Sequence, residues 1–201
     1  MKTLKALTAL ALLVPATICS ASEGIFTYTV NNFGTINGTV GWDFRPTTDI
    51  SVTSLGIFQE AMGSQSPLTV GLWDQNGSLL ASASVTSSDP LFNQTLYQSI
   101  TPVTLTSGTL YFLGAYSDTG LISTPYEVPP GGSATTSPEI RLGGAVWNTN
   151  GVAFPSDPVG PPGSAFLAPN FQYTVPEPTV AALLVLGSSV VAWQGVRRIK
   201  K

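Results

Sequence analysis

Asp74, Asn76 and Ser78 stand at alternate positions, each offering a side-chain oxygen, which is how the first ligands of a calcium loop are laid out. The bidentate acid that such a loop needs further on is missing. Asp74-Gln75-Asn76-Gly77 therefore reads first as a hairpin turn, since Asn-Gly supplies the positive φ that tight turns require. Trp147, Asn148 and Asn150 form a second group, an indole face with two amides that could hold a sugar ring by stacking and neutral hydrogen bonds. Asp43 with Asp49, and Asp118 with Glu127, are acid pairs by spacing alone. A glycosidase needs its two carboxylates about 5–10 Å apart, which a sequence does not establish. The residues assign no catalytic group and no metal site.

The inventory of the chain narrows the chemistry further. It has no histidine, and its single cysteine, Cys19, lies in the N-terminal segment. From residue 23 to 175 there is no lysine, and two arginines (Arg45, Arg141) stand against ten acids, a net charge of −8. Histidine bases, thiol nucleophiles, disulfides and His/Cys zinc sites are excluded within that body. An acidic, lysine-free surface repels phosphate backbones and anionic lipid, so nucleic acid is not a partner.

The two ends read as targeting segments. Lys2 and Lys5 precede an apolar stretch from Ala6 to Val14, ended by Pro15 and followed by the small residues Ser20, Ala21 and Ser22, the order of a secretory signal peptide over residues 1–22. Ile18 occupies the place where a lipidated Cys19 would need a small residue. At the other end, Thr179 to Val196 is free of charge and spans about 27 Å as a helix, enough to cross a bilayer once. The basic residues Arg197, Arg198, Lys200 and Lys201 would remain cytoplasmic, placing the body outside.

Pro176-Glu177-Pro178, the apolar run with Leu183-Leu184-Val185-Leu186-Gly187, and the basic end at Arg197-Arg198 together resemble the PEP-CTERM sorting signal of Gram-negative bacteria, over about the last 27 residues. The resemblance implies transient anchoring in the inner membrane, processing by an exosortase, and delivery to the cell surface or an exopolysaccharide matrix. Residues 176–201 are the sorting unit on this reading, and Pro176, Glu177, Pro178, Arg197 and Arg198 its motif residues.

Between these ends, residues 23–175 read as one extracytoplasmic all-β domain, an antiparallel β-sandwich. Thr, Val, Ile, Tyr and Phe alternate in short runs separated by Gly, Pro, Asn, Asp and Ser. Strands are expected near 24–30, 39–44, 50–58, 68–73, 79–85, 95–100, 109–116, 139–147 and 170–174. The stretches 124–138 and 155–169, rich in Pro, Gly and Ser, are expected to hold no regular strand. Val52, Leu55, Val70, Leu72, Leu110 and Phe112 should face the core, the odd step from Val52 to Leu55 marking a bulge or change of face near Gly56. Trp42 and Trp73 should be core as well. The runs Gly41-Trp42-Asp43-Phe44, 50–58, 70–80 and 102–111 resemble a family of extracellular β-sandwich domains, which implies a jelly-roll-like scaffold or ligand-binding module and brings no catalytic residue.

The expectation is a non-enzymatic surface or matrix protein, structural or associated with exopolysaccharide. A carbohydrate-binding module, with calcium as the cofactor it would carry, is the alternative. A carboxylate-only glycan-active enzyme comes third.

Overall fold

The computed structural model describes residues 21–29, 32–62, 66–117, 121–127, 133–149 and 153–176. The strands are β1 (Ser22–Glu23), β2 (Ile25–Thr29), β3 (Asn32–Asn37), β4 (Thr39–Pro46), β5 (Ile50–Phe58), β6 (Leu68–Asp74), β7 (Leu79–Val85) and β8 (Leu91–Phe92), followed by β9 (Thr95–Leu105), β10 (Tyr111–Ser117), β11 (Leu121–Glu127), β12 (Ser133–Thr136), β13 (Ile140–Asn148), β14 (Asp157–Val159), β15 (Ala165–Phe166) and β16 (Pro169–Thr174). One helical turn, α1 (Gln59–Met62), follows β5.

Two antiparallel sheets form the sandwich, one ordered β1-β16-β5-β9-β8 and the other β14-β13-β4-β10-β6-β7. Smaller sheets, β15-β11-β3 and β12-β2, flank them. Among the described residues no helix is long and apolar enough to cross a membrane. The expected leader up to residue 20 and the run 179–196 lie outside the described residues.

Inward positions follow strand alternation. Trp42 and Phe44 of β4, Val70 and Leu72 of β6, and Phe171 and Tyr173 of β16 are fully buried in one cluster with Val52 and Leu55 of β5. The strand does carry a bulge, but directly after Val52 and not near Gly56, which pairs regularly with Tyr97. Val52 pairs with Val103 and Ser54 with Ser99, so Thr53 faces Ile100, Thr101 and Pro102 on β9. Pro102 has no N–H to give a ladder, and a bulge is where a sheet accepts it.

The expectation for β10 was one residue out of step. Tyr111, Leu113 and Ala115 are the residues facing the main core. Phe112 instead joins Trp73 and Val146 in a separate cluster on the outer side of the six-stranded sheet, with Leu110 packed against it. A one-residue offset moves every side chain to the other face, and the run Leu110-Tyr111-Phe112-Leu113 is apolar at both parities. The two Pro/Gly/Ser stretches also hold strands, contrary to expectation: β12 and the end of β11 in the first, and β14, β15 and the start of β16 in the second. β12, β11, β15 and β16 pair with β2, β3, β11 and β5, all remote in sequence, so the local composition does not reveal them, while β14 folds back on the preceding β13.

The face assignment has a measurable consequence. Leu72→Ala, opening a void in a fully buried site, will cost about 2–5 kcal/mol in denaturant unfolding, whereas Leu110→Ala on the outer face will cost about 1 kcal/mol or less. Equal losses would return Leu110 to the inner layer.

Candidate functional site

The Asp74 loop is a hairpin closed by its own carboxylate. Asp74 Oδ1 accepts the backbone N–H of Asn76 at 2.9 Å and of Ser78 at 2.8 Å, while Gly77 takes φ +82° and donates its N–H to the Asp74 carbonyl. The Ser78 N–H is the main reason that the Asp74 carboxyl lies below its ordinary range. The carboxylate oxygen that would begin a calcium loop is thus committed to the turn. Among the described residues no three Asp, Glu, His or Cys side chains gather into a metal-holding group.

Trp147 and Asn148 are neighbours on β13 and therefore point to opposite faces. Trp147 is half-buried and packs against the main core. Asn148 Nδ2 donates to the Phe154 carbonyl, on the outer side. The two do not form one surface patch, and Asn150 lies outside the described residues. Trp42 is fully buried, its Nε1 donating to the Pro169 carbonyl at 2.9 Å. Trp73 is only 5% exposed and its indole lies over Gly71, where an added Cβ would come within 2.2 Å of the ring. Neither Trp42 nor Trp73 presents an open face for stacking.

Of the sorting residues, Pro176 is exposed just beyond β16, beside an open depression lined by Thr47, Asp49, Thr104 and Ser107. Glu177, Pro178, Arg197 and Arg198 lie outside the described residues. Asp43 and Asp49 do not assemble into a pair. Asp49 Oδ1 accepts the Ser107 N–H at 2.8 Å in the turn before β5, whereas Asp43 points outward from the middle of β4. Asp118 is outside the described residues.

Asp43 is the residue whose setting the sequence reading missed. It borders a cleft of about 230 Å³ whose walls are the β13 residues Gly143 to Val146 and the segment Pro158 to Pro162. The register of β13 against β4 shifts between Leu142 and Ala145, and the bulge so formed turns the Gly144 N–H onto Asp43 Oδ1. Glycine is required there, because a Cβ at Gly143 would lie 2.3 Å from Oδ1. The Gly163 N–H donates to the Gly143 carbonyl at 3.0 Å, and Ser164 Oγ to the Pro161 carbonyl at 2.7 Å, which pins the proline wall to the bulge. Burial raises the Asp43 carboxyl above its ordinary range, opposed by the Gly144 N–H and by Arg45. Asp43 is the one polar side chain among the lining residues, so the cleft can hold a single hydrogen-bond donor against aliphatic walls. It contains no second acid, base or nucleophile. The signal in the sequence was the pair Gly143-Gly144 inside a strand pattern, which marks a bulge or a close approach.

A raised folded-state pKa means that the charged form is the disfavoured one, so the Asp43 contribution to stability is present below the unfolded value of 3.8 and is lost as pH rises through the folded value. Asp43→Asn keeps an acceptor for Gly144 without the charge. It will be at least as stable as wild type at neutral pH, with that advantage vanishing in acid. Asp43→Ala leaves the Gly144 N–H unpaired and will cost about 1–3 kcal/mol. Thermal unfolding of the three proteins from pH 3 to 8 checks both, and an Asn variant weaker than Ala at neutral pH contradicts the assignment.

No curated protein matches this chain. Residues 27–160, spanning Asp43 and the bulge that holds it, match the family model described as Domain of unknown function (DUF4082). With that match covering more than half of its length, the chain belongs to the DUF4082 family.

Proposed function

We propose that this chain is an exported, non-enzymatic module, jelly-roll-like in its body, that an exosortase processes through the Pro176-Glu177-Pro178 tail and delivers to the cell surface or an exopolysaccharide matrix. The observation that carries this reading is the placement of the two ends. Ser22, the last residue of the expected leader, pairs with Tyr173 and Glu23 with Gln172, so the start of the body and the last strand before the tail are antiparallel neighbours. The chain enters the body and leaves it side by side, in a closed unit that the tail alone would tether once the leader is cleaved.

The non-enzymatic reading is supported by how the acids are used. Glu23 accepts from Tyr97 and Asn93, Asp43 from Gly144, Asp49 from Ser107, Asp74 from its own turn, Asp89 from the Thr86 N–H and Glu139 from the Tyr173 hydroxyl. Carboxylates are the only titratable catalysts that the body's composition allows near neutral pH, and most of them fasten the fold. The Asp43 cleft favours a second reading, a carbohydrate-contacting module that grips one sugar hydroxyl without a stacking tryptophan.

Replacing Pro176, Glu177 and Pro178 together with Ala will leave the chain inserted in the inner membrane with its C-terminus intact, while wild type gains a shortened C-terminus. Mass spectrometry of the mature protein, in cells with and without a candidate exosortase, reads this directly. Normal processing of the triple variant would remove Pro176-Glu177-Pro178 as the motif that the enzyme reads.

A further inference from the structure

An asparagine followed by glycine can modify itself. The glycine nitrogen, on losing its proton, attacks the asparagine side-chain carbon and expels the amide as ammonia, which leaves a five-membered imide. Water then opens the imide at one carbonyl or the other, giving aspartate or isoaspartate without an enzyme. Glycine permits this because no Cβ hinders the approach of its nitrogen. The chain has three such pairs, at 37–38, 76–77 and 150–151, and the last lies outside the described residues. Asn37-Gly38 is held between two ladders, Asn37 pairing with Leu121 and Thr39 with Asn148. A Cβ at Gly38 would come 2.0 Å from the Asn148 carbonyl oxygen, so that peptide has no room to turn.

Asn76-Gly77 stands instead at the exposed tip of the hairpin between β6 and β7. There Asp74 holds both reacting ends. Its carbonyl accepts the Gly77 N–H at 3.1 Å, which engages the proton that the attacking nitrogen must lose. Its Oδ1 accepts the Asn76 and Ser78 N–H groups at 2.9 and 2.8 Å, fixing the backbone on either side of Gly77. The Asn76 side chain also hydrogen-bonds to the same carboxylate, which keeps the amide carbon away from the nitrogen. On the other side Phe154 closes over Gly77, where a Cβ would lie 3.1 Å from the ring. Ring closure requires the Gly77 nitrogen to swing toward the Asn76 side chain, and that rotation breaks these contacts together.

From these contacts we propose that Asn76 is a self-modification site, closed while Asp74 holds its turn and opened when the hairpin loosens. The rate of conversion is then the rate in the free segment multiplied by the fraction of time for which the turn is open. Conversion is also one-way. Isoaspartate adds a methylene to the main chain of a turn built for fixed φ, and either product sets a second carboxylate beside Asp74, where like charges repel. The modified hairpin cannot re-form the same closure, so the modification records a past opening. The inference is independent of the sorting reading.

The test follows the full chain in detergent by mass spectrometry of the peptide that contains Asn76, with released ammonia as a second readout. In folded wild type Asn76 will convert about tenfold more slowly than in the same chain unfolded in urea, the factor that one hydrogen bond to a charged group sets. Asp74→Ala, with circular dichroism unchanged, will convert faster than wild type by a similar factor. Asp74→Asn retains the accepting oxygen and will stay near wild type, and conversion at Asn37 will be the same in all three. A folded wild type that converts as fast as the unfolded chain overturns the proposal, whatever the variants do. So does an Asp74→Ala chain no faster than wild type, an Asp74→Asn chain as fast as Asp74→Ala, or a rise at Asn37 equal to that at Asn76.

Discussion

Phe171 holds the two sheets to each other. From β16 its ring stacks 4.9 Å from Phe44 and 5.7 Å from Trp42, both on β4 of the opposite sheet, and it lies 5.8 Å from Tyr173 on its own strand. These rings are fully buried, and aromatic pairs at such distances contribute about 0.5–1.5 kcal/mol each beyond their buried area. The packing constrains its neighbours. Gly24 must be glycine, because a Cβ there would come within 2.7 Å of the Phe171 ring. Asn170, buried beside it, accepts the Ile25 and Phe171 N–H groups and donates to the Ile25 carbonyl, tying β2 to β16 across a separation of 145 residues. The end of the domain is therefore as much part of the core as its middle, although the family match stops at residue 160.

The acids follow the same logic at the surface. A chain with two cations and ten acids in its body cannot neutralise its carboxylates by ion pairs, and so it neutralises them by hydrogen bonds to backbone and hydroxyl donors. Glu23, 5% exposed, is the extreme case: Tyr97 and Asn93 both donate to it, and its own carbonyl accepts from Ser137 Oγ. Burial, with the adjacent Glu23 carboxylate, pushes the Tyr97 hydroxyl far above its usual range, which keeps it a donor. Asn93 and Gln94 hold positive φ in the turn that delivers this amide. The acids thus specify turns and strand ends, and leave the β7 side free of charge.

Much of the sandwich was legible where alternation was local. The limits of β5 and β7 could be read from short runs bounded by turn residues, and the presence of a bulge in β5, though not its place after Val52, from an odd step in the apolar pattern. Legibility failed where a segment is stabilised from a distance. β3, β11 and β12 have weak strand composition and exist because each finds a partner far along the chain. The outer cluster of Trp73, Phe112 and Val146 was hidden because Phe154 covers it, its ring 4.7 Å from Phe112 in an edge-on arrangement, making β10 apolar on both faces. Asp43 was visible as an acid but its cleft was not, since the Gly144 that meets it lies 101 residues away.

The position of β16 also bears on how the tail would be recognised on the proposed reading. Gln172, Tyr173 and Thr174 pair with Ser54, Val52 and Ser51, and Tyr173 gives its hydroxyl to Glu139 at 2.8 Å. A membrane protease that engages its substrate as an extended segment cannot occupy these residues without stripping β16 from β5 and withdrawing Phe171 and Tyr173 from the core. Such a loss of large buried aromatics costs about 3–5 kcal/mol per ring, so the folded body resists it. On that reading, recognition of the folded protein would begin at Pro176, the first exposed residue past the sheet. A body still lacking β16 would expose the same segment on both sides of the motif. The closing strand therefore sets which residues a processing enzyme meets, and does so through the same ring that joins the sheets.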